Sequence, residues 1–140
     1  MSDFYTYGNV FFLLLVSSVT DIRSRIIPAW VCIGSCVMTL WLQLWNGLGW
    51  WYMLMSVLSG LLLAAIFLVN ALFFGGGGGD CILAFAMGVL LGVKAGLAII
   101  LISCLLLLLY SLITKKRADC PLAPFLLAGT LFHLILGELL

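Results

Sequence analysis

The feature that most constrains this chain is its succession of long apolar runs. A hydrocarbon core of about 30 Å is crossed by about 17–25 apolar helical residues. Runs that fit or approach that length cover residues 4–20, 29–45, 51–74, 81–93, 96–114 and 121–139. The fourth is short: at about 1.5 Å per residue its stretch reaches only about 20 Å. Composition agrees with the runs. Of 140 residues, 66% are hydrophobic and 8% charged, where soluble domains carry about a quarter charged. A soluble domain of this size has too little interior to hide so much apolar surface. The sequence therefore predicts an all-α polytopic membrane protein, a single domain over residues 1–140, built as a bundle of six transmembrane helices. The N-terminal "MSDFYTYGNV" lacks the basic region of a signal peptide and carries Asp3, so the first run is expected to be a span itself.

Orientation follows from the basic residues. Arg23 and Arg25 lie in the first connection and Lys115, Lys116 and Arg117 in the fifth, with only Lys94 on the opposite side. Basic residues favour the cytoplasmic side, which predicts both termini outside. Trp41, Trp45, Trp50, Trp51 and Tyr52 gather around the second connection, as an outer interfacial belt does. The net charge of +1 forms no basic patch and points to no nucleic acid.

Five acids remain to be placed. Asp3 and Glu138 fall at the outer chain ends, whereas Asp21, Asp80 and Asp119 fall at cytoplasmic helix ends. Asp119, within "KKRADC", reads as a solvated loop charge, and the basic run beside it as a topology signal that also meets anionic head groups. Asp21 opens "DIRSRIIP" and Asp80 closes "GGGGGD". Taken singly, each has a structural reading: Asp21 pairing with Arg23 or Arg25, Asp80 capping the fourth helix. Taken together, a bundle brings both to one depth at one face. Two neighbouring carboxyls do not both ionise cheaply and share a proton. The ionised member then takes a proton from water while the protonated member polarises a peptide carbonyl, as aspartic proteases do. Such chemistry uses no metal and no cofactor.

The other reactive residues carry less. Cys32, Cys36, Cys81, Cys104 and Cys120 form no CxxC pair and lie mostly within apolar runs, which suits packing better than disulfides or zinc. His133, mid-span in the last run, reads as a satisfied interior histidine. "GGGGGDC" lacks the Lys-Ser/Thr of a phosphate loop and follows no strand. Polyglycine beside lipid leaves backbone groups unsatisfied unless it is buried in protein or lines a wet cavity. Gly88, Gly92 and Gly96 recur every four residues, a spacing that lets helices approach closely.

"DIRSRIIP" after the first span, "GGGGGD" before the fourth and "PLAPFLLAG" opening the last together resemble the type IV prepilin peptidases, membrane aspartic peptidases of the GxGD type related to archaeal preflagellin peptidases. The resemblance runs from Asp21 to Gly129. It implies Asp21 and Asp80 as the catalytic pair, Gly77 and Gly79 as the glycines of the GxGD motif, and structural or substrate-positioning roles for Pro28, Pro121, Pro124 and Phe125. It further implies cleavage of a short basic leader from prepilin or pseudopilin precursors at the cytoplasmic face of a prokaryotic plasma membrane. Ala29 stands where many members have asparagine, and Ile82 where many have lysine. The cytosolic zinc-binding insertion that accompanies N-methylation in larger members has no counterpart between these motifs, so a peptidase without methyltransferase activity is expected. The rival readings are a small ion or proton transporter that uses the same aspartates, and a non-catalytic scaffold.

Overall fold

A computed structural model describes residues 2–24, 27–74, 78–114 and 122–139. These residues form five helices and no strand: α1 (Ser2–Ser24), α2 (Ala29–Trp45), α3 (Trp50–Phe74), α4 (Gly78–Thr114) and α5 (Ala123–Leu139). Two of them, over Trp50–Val69 and Gly78–Tyr110, are long and apolar enough to cross a membrane; Ala29–Trp45 and Ala123–Ile135 are shorter apolar helices. The outside of the bundle is as apolar as its inside. Leu13, Leu14, Leu63, Leu83, Met87 and Ile99 are wholly buried, while Trp30, Leu72, Leu101 and Ile113 stand more than two-thirds exposed. An outer surface of this kind is stable against lipid, and this is a membrane protein.

The breaks between helices have local causes. Pro28 sits at the N-cap of α2 with φ −72°, where its fixed ring geometry suits a helix start, and its carbonyl accepts from Val31 N–H at 3.1 Å. The α2–α3 turn is a Schellman closure: Leu48 N–H donates to Gln43 O at 3.1 Å and Gly47 N–H to Leu44 O at 3.0 Å. Gly47 takes the positive φ of 69° that this closure needs.

Helix α4 differs from the predicted pair of spans with a turn near Lys94. No loop separates its two halves, but Gly92 lies inside it at φ 77° and ψ 175°, a conformation essentially reserved to glycine. The break turns the chain back on itself. A Cβ on Gly96 would come within 3.9 Å of Met87 O, whereas a straight helix separates residues nine apart by about 13 Å. The fourth and fifth predicted runs are thus two arms, 78–91 and 93–114, of one element hinged at Gly92. At about 1.5 Å per residue the first arm is only about 21 Å long.

Helix α3 is the principal neighbour of α4, and glycine sets how close they come. A Cβ on Gly88 would fall 2.6 Å from the Gly60 Cα, and one on Gly60 2.8 Å from Phe85 O. Gly96 faces Leu63 in the same helix. The four-residue glycine spacing thus yields two close packings and one hinge. Polar side chains add interhelical bonds. Asn9 Nδ2 in α1 donates to Ser35 O at 3.0 Å and to Thr39 Oγ1 at 3.1 Å in α2, and Gln43 Nε2 donates to Ser56 Oγ at 2.9 Å.

Candidate active site

The first span is longer at its end than the sequence suggested. Helix α1 continues to Ser24, so Asp21 lies inside its last turn rather than opening a loop. Thr20 Oγ1, which donates to Val16 O at 2.9 Å, shows how this polar end satisfies itself within the helix. Asp21 is only 8% exposed, and a buried carboxylate needs partners. One comes from far along the chain: Ala123 N–H donates to Asp21 Oδ2 at 3.2 Å.

Why Ala123 has a hydrogen to give follows from the way α5 starts. The first N–H groups of a helix lack intrahelical acceptors. Here Phe125 and Leu126 both donate to Leu122 O at 3.1 Å, and Pro124 has no N–H at all. Ala123 is then the unpaired donor of the first turn, and Asp21 takes it. Pro124, expected to be structural or substrate-positioning, sits next to this donor and offers no N–H of its own. Phe125, also predicted, stacks at 5.5 Å between ring centroids and 56° on Tyr110, which ties the start of α5 to the end of α4.

Asp80 sits in the first turn of α4, two residues past its start at Gly78. The helix begins three residues earlier than the predicted run, so Gly78 and Gly79 are helical and Asp80 lies within the first turn rather than at the cap. At the start of a helix the carbonyls of Gly78 and Gly79 can be taken up by helical bonding, while their N–H groups have no intrahelical acceptor. Gly79 also fits a tight place: a Cβ there would meet the Ile27 Cβ at 3.2 Å. Ile27 precedes Pro28, so the glycine before Asp80 packs directly on the residue that leads into α2. Asp80 is half-buried and close enough to Asp21 for the two carboxylates to act on each other electrostatically.

These contacts join Asp21 at the end of α1 to Ala123 at the start of α5 and to Asp80 at the start of α4, where Gly79 meets Ile27 beside Pro28. Gly77 and Pro121, also singled out by the sequence, lie outside the described residues, as do Arg25, the 115–117 basic run and Asp119. His133 departs from expectation, since its Nδ1 is buried without a hydrogen-bond partner among the described residues. Sequence reasoning missed Ala123 and Ile27, because a backbone N–H and an aliphatic contact carry no chemical signature in the sequence. Among the described residues no three His, Cys, Asp or Glu side chains come together to hold a metal ion. Two carboxyls at one apolar helix end are suited to sharing one proton, which equips them for acid–base work on a bound peptide.

Comparison with known proteins bears on the same elements. No curated protein and no solved structure matches the chain. A family model described as the type IV leader peptidase family matches residues 9–112, a stretch that holds Asp21, the "IIP" segment, the glycine run and Asp80. With the match covering most of the sequence and both carboxylates within it, this chain belongs to the type IV leader peptidase family, a family of peptidases.

Proposed function

We propose that this protein is a membrane-embedded aspartic endopeptidase that removes the short basic leader from type IV prepilin-like precursors, with Asp21 and Asp80 as its catalytic pair. The observation that supports the reading is that these two carboxylates, on helices far apart in sequence, lie within electrostatic reach of each other, with Asp21 tied to the start of α5. The family supplies the reaction class, peptide hydrolysis. The two carboxyls supply the groups such hydrolysis needs.

With the dyad holding one proton, the ionised carboxylate takes a proton from water as the water oxygen bonds to the scissile carbonyl carbon. The protonated carboxyl gives its proton to the carbonyl oxygen, which yields a neutral tetrahedral diol. Collapse breaks the C–N bond: the amine nitrogen takes a proton from one carboxyl, a diol hydroxyl returns one to the other, and the dyad ends with one proton. One water is consumed, and no oxidant, metal or covalent enzyme intermediate takes part.

Substrate and topology belong to the same proposal. Arg23 and the basic connection at 115–117 put the Asp21–Asp80 end at the cytoplasmic face by the positive-inside tendency, and the arms of α4 count as separate crossings in a six-span bundle with both termini outside. The protein then lies in a prokaryotic plasma membrane, where a prepilin or pseudopilin presents its basic leader in the cytoplasm and its apolar helix in lipid. A helical substrate has its carbonyls tied up in its own bonds, so cleavage needs local unwinding. Glycine has no side chain to obstruct such a segment, and a backbone that approaches it closely can pair with it as a strand does.

The test is incubation of the purified protein, in liposomes, with a panel of precursors bearing a basic leader, a glycine and an apolar helix, followed by sequencing of the new N-terminus. Cleavage after the glycine by wild type, and its loss in Asp21→Asn and Asp80→Asn, is the expected result. A folded wild type that cleaves none of them overturns the substrate assignment, and undiminished cleavage in either variant overturns the dyad.

A further inference from the structure

Ser17 lies one helical turn before Asp21 on the buried side of α1, and its side chain is wholly buried. Its hydroxyl has no hydrogen-bond partner among the described residues. Hydroxyls on helices ordinarily solve this problem at home, by donating to the carbonyl four residues back. In this bundle Ser103 donates to Ile99 O at 2.6 Å, Thr130 to Leu126 O at 2.8 Å and Thr39 to Ser35 O at 3.0 Å. Ser17 does not. A buried hydroxyl without a partner is destabilising, and alanine at this position would remove that cost while keeping the helix.

We propose that Ser17 is a positioning residue of the active site, whose hydroxyl holds the attacking water against Asp21. The inference rests on the dyad reading. Residues four apart on a helix share a face, with Cβ atoms about 5–6 Å apart. A water at about 2.8 Å from each side-chain oxygen bridges such a pair. Buried waters typically make about three hydrogen bonds to groups that otherwise lack partners. Ser17 and Asp21 supply two, and Asp80, within electrostatic reach of Asp21, supplies the third. The hydroxyl can donate to the water or accept from it as the proton moves.

The experiment compares wild type with Ser17→Ala, Ser17→Thr and Asp21→Asn, reading kcat and KM on a cleaved prepilin-like precursor and the thermal midpoint of each variant. A misplaced reacting group costs on the order of a hundredfold. Ser17→Ala is therefore expected to lose about tenfold to a hundredfold in kcat at unchanged KM, with a midpoint equal to or above wild type. Ser17→Thr, which keeps the hydroxyl, is expected to recover most of the rate. An unimpaired kcat in Ser17→Ala overturns the proposal, and so does a loss shared by Ser17→Ala and Ser17→Thr together with a lowered midpoint. Activity retained in Asp21→Asn would bring down the dyad itself, whereas an inactive Asp21→Asn beside an unimpaired Ser17→Ala removes the role of Ser17 alone. A map that resolves water gives a reading free of turnover: one oxygen shared by Ser17 Oγ and Asp21 supports the proposal, and a direct bond from Ser17 to Leu13 O overturns it.

Discussion

The two carboxylates of the site are mounted in opposite ways. Asp21 is buried in the last turn of a long helix and tied by a backbone hydrogen bond to α5. Asp80 is half-buried in the first turn of its helix, directly after a glycine run, and among the described residues no hydrogen bond holds its side chain. One carboxylate is fixed by the fold; the other hangs on the most permissive backbone in the chain. Under the proposed dyad, a site that admits a peptide between two acids needs one of them to give way, and the contrast makes Asp80 the expected mobile member.

The chemistry itself should not respect this contrast, and it carries the largest expected effect. Asp21→Asn and Asp80→Asn are each expected to lower kcat by at least about a thousandfold, because members of a catalytic unit fail together. Cleavage kinetics at saturating precursor check it. A variant of either residue that kept more than a tenth of the rate would break the pairing.

Next in size is the clamp below Asp80. The first arm of α4 is pressed against α3 where Gly88 meets Gly60. A methyl on Gly88 would sit 2.6 Å from a backbone carbon, which cannot swing aside as a flexible side chain does. Gly88→Ala is expected to lose about 1–3 kcal/mol or more of stability, read as a lower thermal midpoint in detergent. A midpoint equal to wild type would mean that the arm itself is loose, and that Asp80's freedom does not come from the glycines ahead of it alone.

The contrast between the two aspartates appears directly in stability when each is cut back to alanine. Asp21→Ala leaves the Ala123 N–H buried without an acceptor, at a cost of about 1–3 kcal/mol. Asp80→Ala breaks no hydrogen bond among the described residues. The expected order of thermal midpoints is Asp80→Ala above Asp21→Ala, with Asp21→Asn between them, since an amide oxygen can still accept from Ala123. The reverse order would show that Asp80 is the anchored member.

Much of this site was legible in the sequence, and what was hidden has a physical reason. Carboxylates are so costly in lipid that Asp21 and Asp80 stand out against their apolar surroundings from residue type and position alone. Pro28 and Pro124 are equally visible, because proline fixes its own backbone. The partner of Asp21 is not, since a backbone N–H belongs to every residue except proline and only the geometry of α5 picks out Ala123. Nor does the sequence separate Gly92 from Gly88 and Gly96. The three are equally spaced, yet one bends the chain and the others face α3, and that depends on partners such as Gly60 and Leu63 far away in the sequence. Helix ends shifted for a similar reason. Hydropathy stops the first span before Asp21 and begins the fourth after Asp80, but hydrogen bonding carries both helices through their charged residues.

The smallest effect, and the sharpest test of the mobile mounting, is Gly79→Ala. Its methyl would meet Ile27 Cβ at 3.2 Å and the outer Ile27 carbons at 3.4 Å, so the isoleucine needs to yield by only a few tenths of an ångström. Gly79 is helical, and alanine is favoured over glycine in a helix, by less in the first turn than the about 1 kcal/mol of a helix interior. Packing loss and helix gain therefore nearly offset, and the thermal midpoint should stay close to wild type. Activity should not. A stiffer first turn pushed off the "IIP" segment displaces Asp80 relative to Asp21, and a displacement well under 1 Å is expected to cost about tenfold in kcat. Ile27→Val in the Gly79→Ala background removes a methyl near the contact and should restore part of the rate without changing stability much. If Gly79→Ala left kcat untouched while Ile27→Val alone lowered it, the glycine would be there for packing only, and Asp80 would be as firmly held as Asp21.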